Sequence, residues 1–410
     1  MKKITLFSAL LLAGLVGSQL LPAWLGPDYA TLAEAVRFLT MFGLAFIMIH
    51  VGYEFELDQT QVRTLGKDYG VAMTTAAFPW IIASVYFMYL LLPAAEWGNW
   101  ETWKELILAG RFAAPTATGI LFSMMAAAGL SATWTFRKTR ILAIFDDLDT
   151  VLLMIPLKML MIGLAWQLGL IVVVMVVLLF AGWRWLHRVR LPVSWPWVLG
   201  YALAIAGASE FVYKFTKLLD ESVPVHIEVL LPAFVLGCMM KRPAGCDPHC
   251  DDAREGHQEG PESPVEQRVS TIVSAVFMVL VGLSMPVFVG SAAPAPAGGA
   301  ATVTAAQPPL SVGALVAHVA VLTLLINIGK IFPAFCYRRE AHWRERLAVA
   351  IGMCPRGEVG AGIILLSLSY GIGGPVVAVA VLSLALNLVL TPVFVAAVNY
   401  LVRTAPSVRA

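Results

Sequence analysis

Apolar residues along this chain come in unbroken stretches of about 20, with neither the period-two alternation of a half-buried strand nor the narrow stripe of a surface helix. There are twelve, at roughly 4–22, 31–53, 70–93, 104–129, 139–164, 168–187, 195–216, 224–240, 267–289, 312–336, 345–370 and 374–401. Each is long enough to cross a bilayer as a helix, which satisfies its own backbone hydrogen bonds where no water is present. The pattern predicts an all-α polytopic membrane protein of about 12 transmembrane helices. The first stretch, after Met1-Lys2-Lys3, has the outline of a secretory leader, with Val16 and Ser18 as small residues ahead of a cut. Its length favours a retained helix.

Basic residues fix the direction. With a cytoplasmic N-terminus, twenty Lys and Arg fall in inside loops, and only Lys104, Lys214 and Lys217 fall outside. That asymmetry follows the positive-inside rule and puts both termini in the cytoplasm. Two longer connections, 241–267 and 290–311, rich in Pro and Gly or small residues, are expected to be mobile connectors.

The 410 residues are 59% hydrophobic and 13% charged, with a formal net charge of +2, which rules out a phosphate-neutralising nucleic-acid surface. Five cysteines, three of them (Cys238, Cys246, Cys250) in or beside an inside loop, argue against a disulfide framework. Cys246, His249, Cys250 and His257 match no standard zinc spacing, so a regulatory metal there is the minor reading. His50 and His318 are isolated within spans and read as packed or lipid-edge side chains. Glu210, His226 and Glu228 near outside ends read as interfacial.

Charges inside spans are costly and by default face a bundle interior or an ion path. Arg37, Arg111, Lys158, Lys330 and Arg356 are such bases; Asp146, Asp147, Asp149, Glu210, Glu228 and Glu358 are such acids. In Phe145-Asp146-Asp147-Leu148-Asp149, adjacent carboxylates point about 100° apart, whereas Asp146 and Asp149 share a face. Asp147 can then hold a cation while Asp146 meets another partner. Close carboxylates in a low-dielectric site titrate as a coupled unit, which suits them to carry protons. Lys330, in Asn327-Ile328-Gly329-Lys330, needs a carboxylate and is paired with Asp146, with snorkelling to the inside face as the alternative. The fourth span is interrupted at Ala114-Pro115-Thr116 and the eleventh at Pro355-Arg356-Gly357-Glu358. Paired interruptions in corresponding spans of two halves mark a transporter binding site. Spans 3–5 against 10–12 make an inverted repeat with two discontinuous crossing helices.

In the order and spacing of Asp146-Asp147, Pro115-Thr116, Lys330 and Pro355-Arg356-Gly357-Glu358-Val359, the chain resembles the monovalent cation/proton antiporter superfamily, specifically bacterial electrogenic sodium/proton antiporters with paired aspartates. Softer matches are Gly52-Tyr53-Glu54-Phe55 and Val281-Gly282-Leu283-Ser284-Met285-Pro286. The resemblance covers essentially the whole membrane region. It implies alternating access by a core bundle (about 70–164 and 312–401) against dimerisation helices (about 4–53 and 168–289), in a homodimer of the bacterial inner membrane serving pH homeostasis. It further implies Asp147 as main cation ligand, Asp146 as second carboxylate against Lys330, Thr116 as neighbour, and Arg356 and Glu358 as structural organisers. Asp149, a possible modulator, departs from the pattern together with Arg111 and Lys158. The expected activity is secondary exchange of Na+ or Li+ for H+, without enzyme chemistry or a cofactor; membrane lipid is the other partner.

Competing readings are K+/H+ exchange on the same fold, sodium-coupled uptake of an organic anion, a non-transporting sensor and an intramembrane protease. Neither a Gly-x-Gly-Asp tetrapeptide nor HExxH occurs, so the residues give the protease no support.

Overall fold

The computed structural model describes residues 2–53, 62–162, 166–185, 188–219, 229–240, 264–284 and 302–405. In chain order its helices are α1 (Lys2–Leu25), α2 (Tyr29–Tyr53), α3 (Val62–Tyr86), α4 (Trp100–Gly110), α5 (Thr118–Ala127), α6 (Trp134–Ile162), α7 (Trp166–Arg184), α8 (Trp195–Leu219), α9 (Leu230–Met239), α10 (Pro264–Leu283), α11 (Val312–Gly329), α12 (Pro333–Cys336), α13 (Trp343–Gly352), α14 (Glu358–Ser369) and α15 (Gly374–Thr404). Among the described residues there is no strand, only an isolated bridge between Val189 and Met240. Among the described residues, six helical segments are long and apolar enough to cross a membrane, Trp100–Ala127 being counted through its break. The expected fifth span, α6, falls outside that count because Lys138, Arg140, Asp146, Asp147 and Asp149 lie within it.

The chain divides into two compact units. One comprises Leu32–Asp58 and Leu164–Phe277, and within it α2 and α9 meet closely. A Cβ on Gly52 would strike the Phe234 carbonyl, and one on Gly237 the Ile49 carbonyl. Small residues let helix backbones approach where lipid offers no hydrophobic drive for association. In the same unit Arg37 forms an ion pair with Glu210 at 2.9 Å. The expected eighth span is described only over 229–240, which leaves His226 and Glu228 outside the described residues, as are 241–263 with Cys246, His249, Cys250 and His257.

The other unit comprises Met1–Thr31, Gln59–Gly163 and Met278–Ala410. It holds two three-part halves: α3, α4 with α5, and α6; then α11, α13 with α14, and α15. The middle member of each half is broken, as the prolines predict. Pro115 has no N–H to give, and the chain runs without helix through 114–117 before α5. Pro355 and Gly357 do the same between α13 and α14. The two interruptions touch: the Ala117 amide donates to the Pro355 carbonyl at 2.8 Å. A side chain at Gly357 would press on Ile120 and Ala117, and one at Gly360 on the Phe112 carbonyl.

One expectation is overturned. Residues 302–305 belong to the connection read as mobile, yet they are docked against the rest of this unit. Buried Thr304 accompanies α4 and the α14–α15 turn: its amide and hydroxyl donate to Glu105 Oε2 at 3.3 and 2.8 Å, and Gly373 N–H donates to its hydroxyl at 3.4 Å. Gly374, with φ of +63°, passes under the Thr304 carbonyl so closely that no Cβ fits. Uncharged composition gave no hint of a buried carboxylate waiting for this segment. The start of α4 and the end of α14 thus lie on one side of the crossing, so the two broken members run antiparallel, as an inverted repeat requires.

Candidate functional site

The crossing of two broken helices leaves unpaired main-chain groups at the centre of the unit. The N-termini of α5 and α14 expose amides; the ends of α4, α11 and α13 expose carbonyls. The sequence supplies an anion for the first and cations for the second.

Asp146, fully buried on α6, is the anion. Its Oδ2 accepts from the Thr116 amide at 3.0 Å, the Thr116 hydroxyl at 2.7 Å and Lys330 Nζ at 2.9 Å. Lys330 caps the C-terminus of α11, where a positive charge complements the helix dipole, and its Nζ also lies 3.2 Å from Thr116 Oγ1. Lys330 is buried, so the snorkelling alternative does not hold: α11 ends one residue before it, and the side chain turns into the crossing. Among the described residues Asp146 Oδ1 has no hydrogen-bond partner. Asp147, the next residue, is also buried.

Arg356 is the second cation. It lies in the break between α13 and α14, and its guanidinium is fully buried. Nε donates to the Ala113 carbonyl at 2.7 Å, Nη2 to Ile326 at 3.0 Å and Nη1 to Cys354 at 3.1 Å, so one side chain serves carbonyls at three helix ends. Nη1 also reaches Oδ1 of Asn327 at 2.7 Å and of Asn387 at 3.3 Å, while Asn327 Nδ2 donates to Asn387 Oδ1 at 3.0 Å. The resemblance implied Arg356 and Glu358 as structural organisers. The described partners of Arg356 are carbonyls and amides, and the Glu358 side chain, at the first residue of α14, lies outside the described part.

The structure therefore brings Thr116, Asp146 and Lys330 together, with Pro115 shaping the break and Arg356 bracing it. Asp149 goes elsewhere: its Oδ2 accepts from Arg111 Nη2 at 3.2 Å, both groups buried. Lys158, farther along α6, is half-buried. The asparagines were missed, although an Asn inside Leu384-Ala385-Leu386-Asn387-Leu388 is a polar residue in an apolar span and carries a signal of its own. His318, read as isolated, shares a 2.8 Å hydrogen bond with Tyr86.

A second polar cluster, buried at Asp68, Lys138 and Tyr337 and exposed at Lys67 and Glu340, ties α3, α6 and the α12–α13 turn. Lys138 Nζ lies 3.1 Å from Asp68 and 3.2 Å from Glu340; Lys67 reaches Glu340 at 2.7 Å, and the Tyr337 hydroxyl donates to Asp68 at 2.8 Å. Burial, then the negative charge of Asp68, pushes the Tyr337 phenol far up. For Glu340 burial works upward, but hydrogen bonds and charge from Lys67 and Lys138 outweigh it and hold the carboxyl below its usual value.

Two broken helices that cross beside buried aspartates are a transporter-type arrangement, and the profile of the family described as sodium/hydrogen exchanger, transmembrane, matches residues 2–398. The chain belongs to that family. Among solved structures, the exchanger is similar to the sodium proton antiporter MjNhaP1 from Methanocaldococcus jannaschii at pH 8, with a TM-score of 0.53 and 13% identity, over 94% of this chain and 91% of that one. No individually curated protein matches its sequence. The exchanger is thus a multi-pass membrane protein and a secondary cation/proton antiporter, not an enzyme.

Proposed function

We propose that this exchanger moves Na+, or Li+, against H+ by alternating access, with Asp147 as the main cation ligand and Asp146 as the second carboxylate. The observation that carries the reading is the buried Asp146–Asp147 pair at the contact of the two broken helices, with Lys330 Nζ 2.9 Å from Asp146. The sodium proton antiporter of similar fold supports sodium as the first cation to test.

Cation and protons compete for the same groups. A cation entering at Asp147 must displace any proton there; on the far side protons displace the cation, so neither species crosses without the other. Thr116 takes part through its hydroxyl, which donates to Asp146. Loading both carboxylates gives two protons per cation, a cycle that moves net charge and responds to voltage by roughly 2.3 kcal/mol per charge per 100 mV. If Asp146 stays ionised against Lys330 throughout, exchange is one for one and voltage-independent. The proposed setting is a homodimer in a bacterial inner membrane with cytoplasmic termini, as the bias of basic residues toward one side supports.

The test is reconstitution into vesicles with an internal pH dye under an imposed proton gradient, adding sodium, lithium or potassium in turn, with Asp147→Asn alongside. Dissipation by sodium or lithium that vanishes in the variant is the expected result. Dissipation by potassium alone would assign K+/H+ exchange instead, and none with any cation would end the antiport reading.

A further inference from the structure

The paired-aspartate site has a buried ion pair beside it that the exchange scheme leaves unused. Arg111 ends α4 at the short 3-10 turn Arg111–Ala113, and Asp149 lies one helical turn beyond Asp146 on the same face of α6. Arg111 Nη2 donates to Asp149 Oδ2 at 3.2 Å and lies 3.5 Å from Thr150 Oγ1, whose hydroxyl donates to the Asp146 carbonyl at 2.8 Å. The guanidinium stacks on Trp80 at 4.6 Å, and the Trp80 indole donates to the Ile107 carbonyl at 2.7 Å. Arg111 is fully buried, and among the described residues its Nε and Nη1 have no hydrogen-bond partner.

Packing alone does not account for this pair. Replacing a buried ion pair by apolar residues of the same volume is often neutral or stabilising, and this pair leaves two donors unmet among the described residues. Its place supplies another role. The buried charges around the crossing are Asp146, Asp147 and Asp149 on α6, Arg111 at the end of α4, Lys330 at the end of α11 and Arg356 between α13 and α14, with Tyr69 on α3 and Cys354 as further titratable neighbours. Asp149 and Arg111 both fall within electrostatic range of Asp146. Paired, they cancel; alone, either would act on a cation arriving at the neighbouring carboxylates.

We propose that Arg111 and Asp149 form a charge-balancing pair that sets the exchanger's affinity for its cation, Asp149 masking a permanent guanidinium charge that would otherwise repel it. The proposal rests on the cation/proton exchange reading above. An unmasked charge about one to two helical turns from the cation, at the effective dielectric of protein sites, changes affinity by roughly ten- to a hundredfold.

Sodium-dependent proton flux in vesicles at one alkaline pH, with KM and kcat separated, tests it. Asp149→Asn strands the guanidinium and is expected to raise KM for sodium by roughly ten- to a hundredfold with a smaller change in kcat; Asp149→Glu should stay near wild type. The double variant R111Q/D149N removes both charges and should return KM to the wild-type value. A purely structural brace would leave the double variant as impaired as the single or more so. If D149N does not fold, the neutral double variant still decides: folded, it must match wild-type KM within about threefold, and failure to do so overturns the proposal, as does a D149N protein of wild-type KM. Flux absent from wild type would instead remove the exchange reading and this inference with it, whereas Asp147-dependent flux with unmoved KM values would remove this inference alone.

Discussion

Replacing Arg356 by Gln removes a side chain that joins three helix ends at the crossing. Three main-chain carbonyls, of Ala113, Ile326 and Cys354, lose a charged donor in a fully buried place. Each such group left unmet costs about 1–3 kcal/mol, for a gross loss of about 3–9 kcal/mol. The glutamine amide recovers part of it, and Asn327 and Asn387 already bond each other. The expected net loss is about 3–5 kcal/mol, in line with removing one member of a buried charged cluster. At roughly 2 °C per kcal/mol for a large domain, melting in detergent should fall by about 6–10 °C. Arg356→Lys keeps the charge but loses the planar fork, so about half that fall is expected. Thermal unfolding followed by tryptophan fluorescence and by retention of the monodisperse peak on size exclusion would measure both. A Gln variant melting within about 2 °C of wild type would show that the three carbonyls are satisfied by other means and that Arg356 is not the brace.

Thr116→Val leaves the Thr116 amide and Lys330 on Asp146 but deletes the hydroxyl at 2.7 Å; cation-dependent flux should drop about ten- to a hundredfold and Thr116→Ser should restore it, while a T116V protein within twofold of wild type would remove the hydroxyl from the site. The Glu340 carboxyl has a folded pKa below its ordinary value, so its stabilisation is present above the unfolded pKa and lost as pH falls through the folded one. Wild type should therefore melt above Glu340→Gln at pH 7, with the gap closing below about pH 4; a gap that persists in acid would contradict the ion-pair account. Thr304→Val removes the hydroxyl donor to Glu105, and hydrogen exchange across 302–307 should rise several-fold; unchanged protection would mean that the main chain alone holds the segment.

Much of this architecture is local in origin, and local features are legible. Hydrophobic stretches specify spans because lipid leaves a backbone no alternative to the helix, and Pro115, Pro355 and Gly357 specify breaks through their own dihedral limits and missing donors. The cost of burying a charge singled out Asp146 and Lys330, and their 2.9 Å contact follows from having few affordable partners. The same argument flagged Arg111 and Asp149 as costly but paired neither.

By itself, the sequence determined the helical class, the two breaks and the set of charges that had to be neutralised inside. Only the tertiary structure decided which charge neutralises which: that Asp149 turns to Arg111 while Asp146 takes Thr116 and Lys330, that Arg356 gathers carbonyls from three helices with help from Asn327 and Asn387, and that Thr304 crosses 199 positions to reach Glu105. The physical reason is that a buried group requires a partner of the right sign, but its side chain can reach only what helix packing brings within about 3 Å.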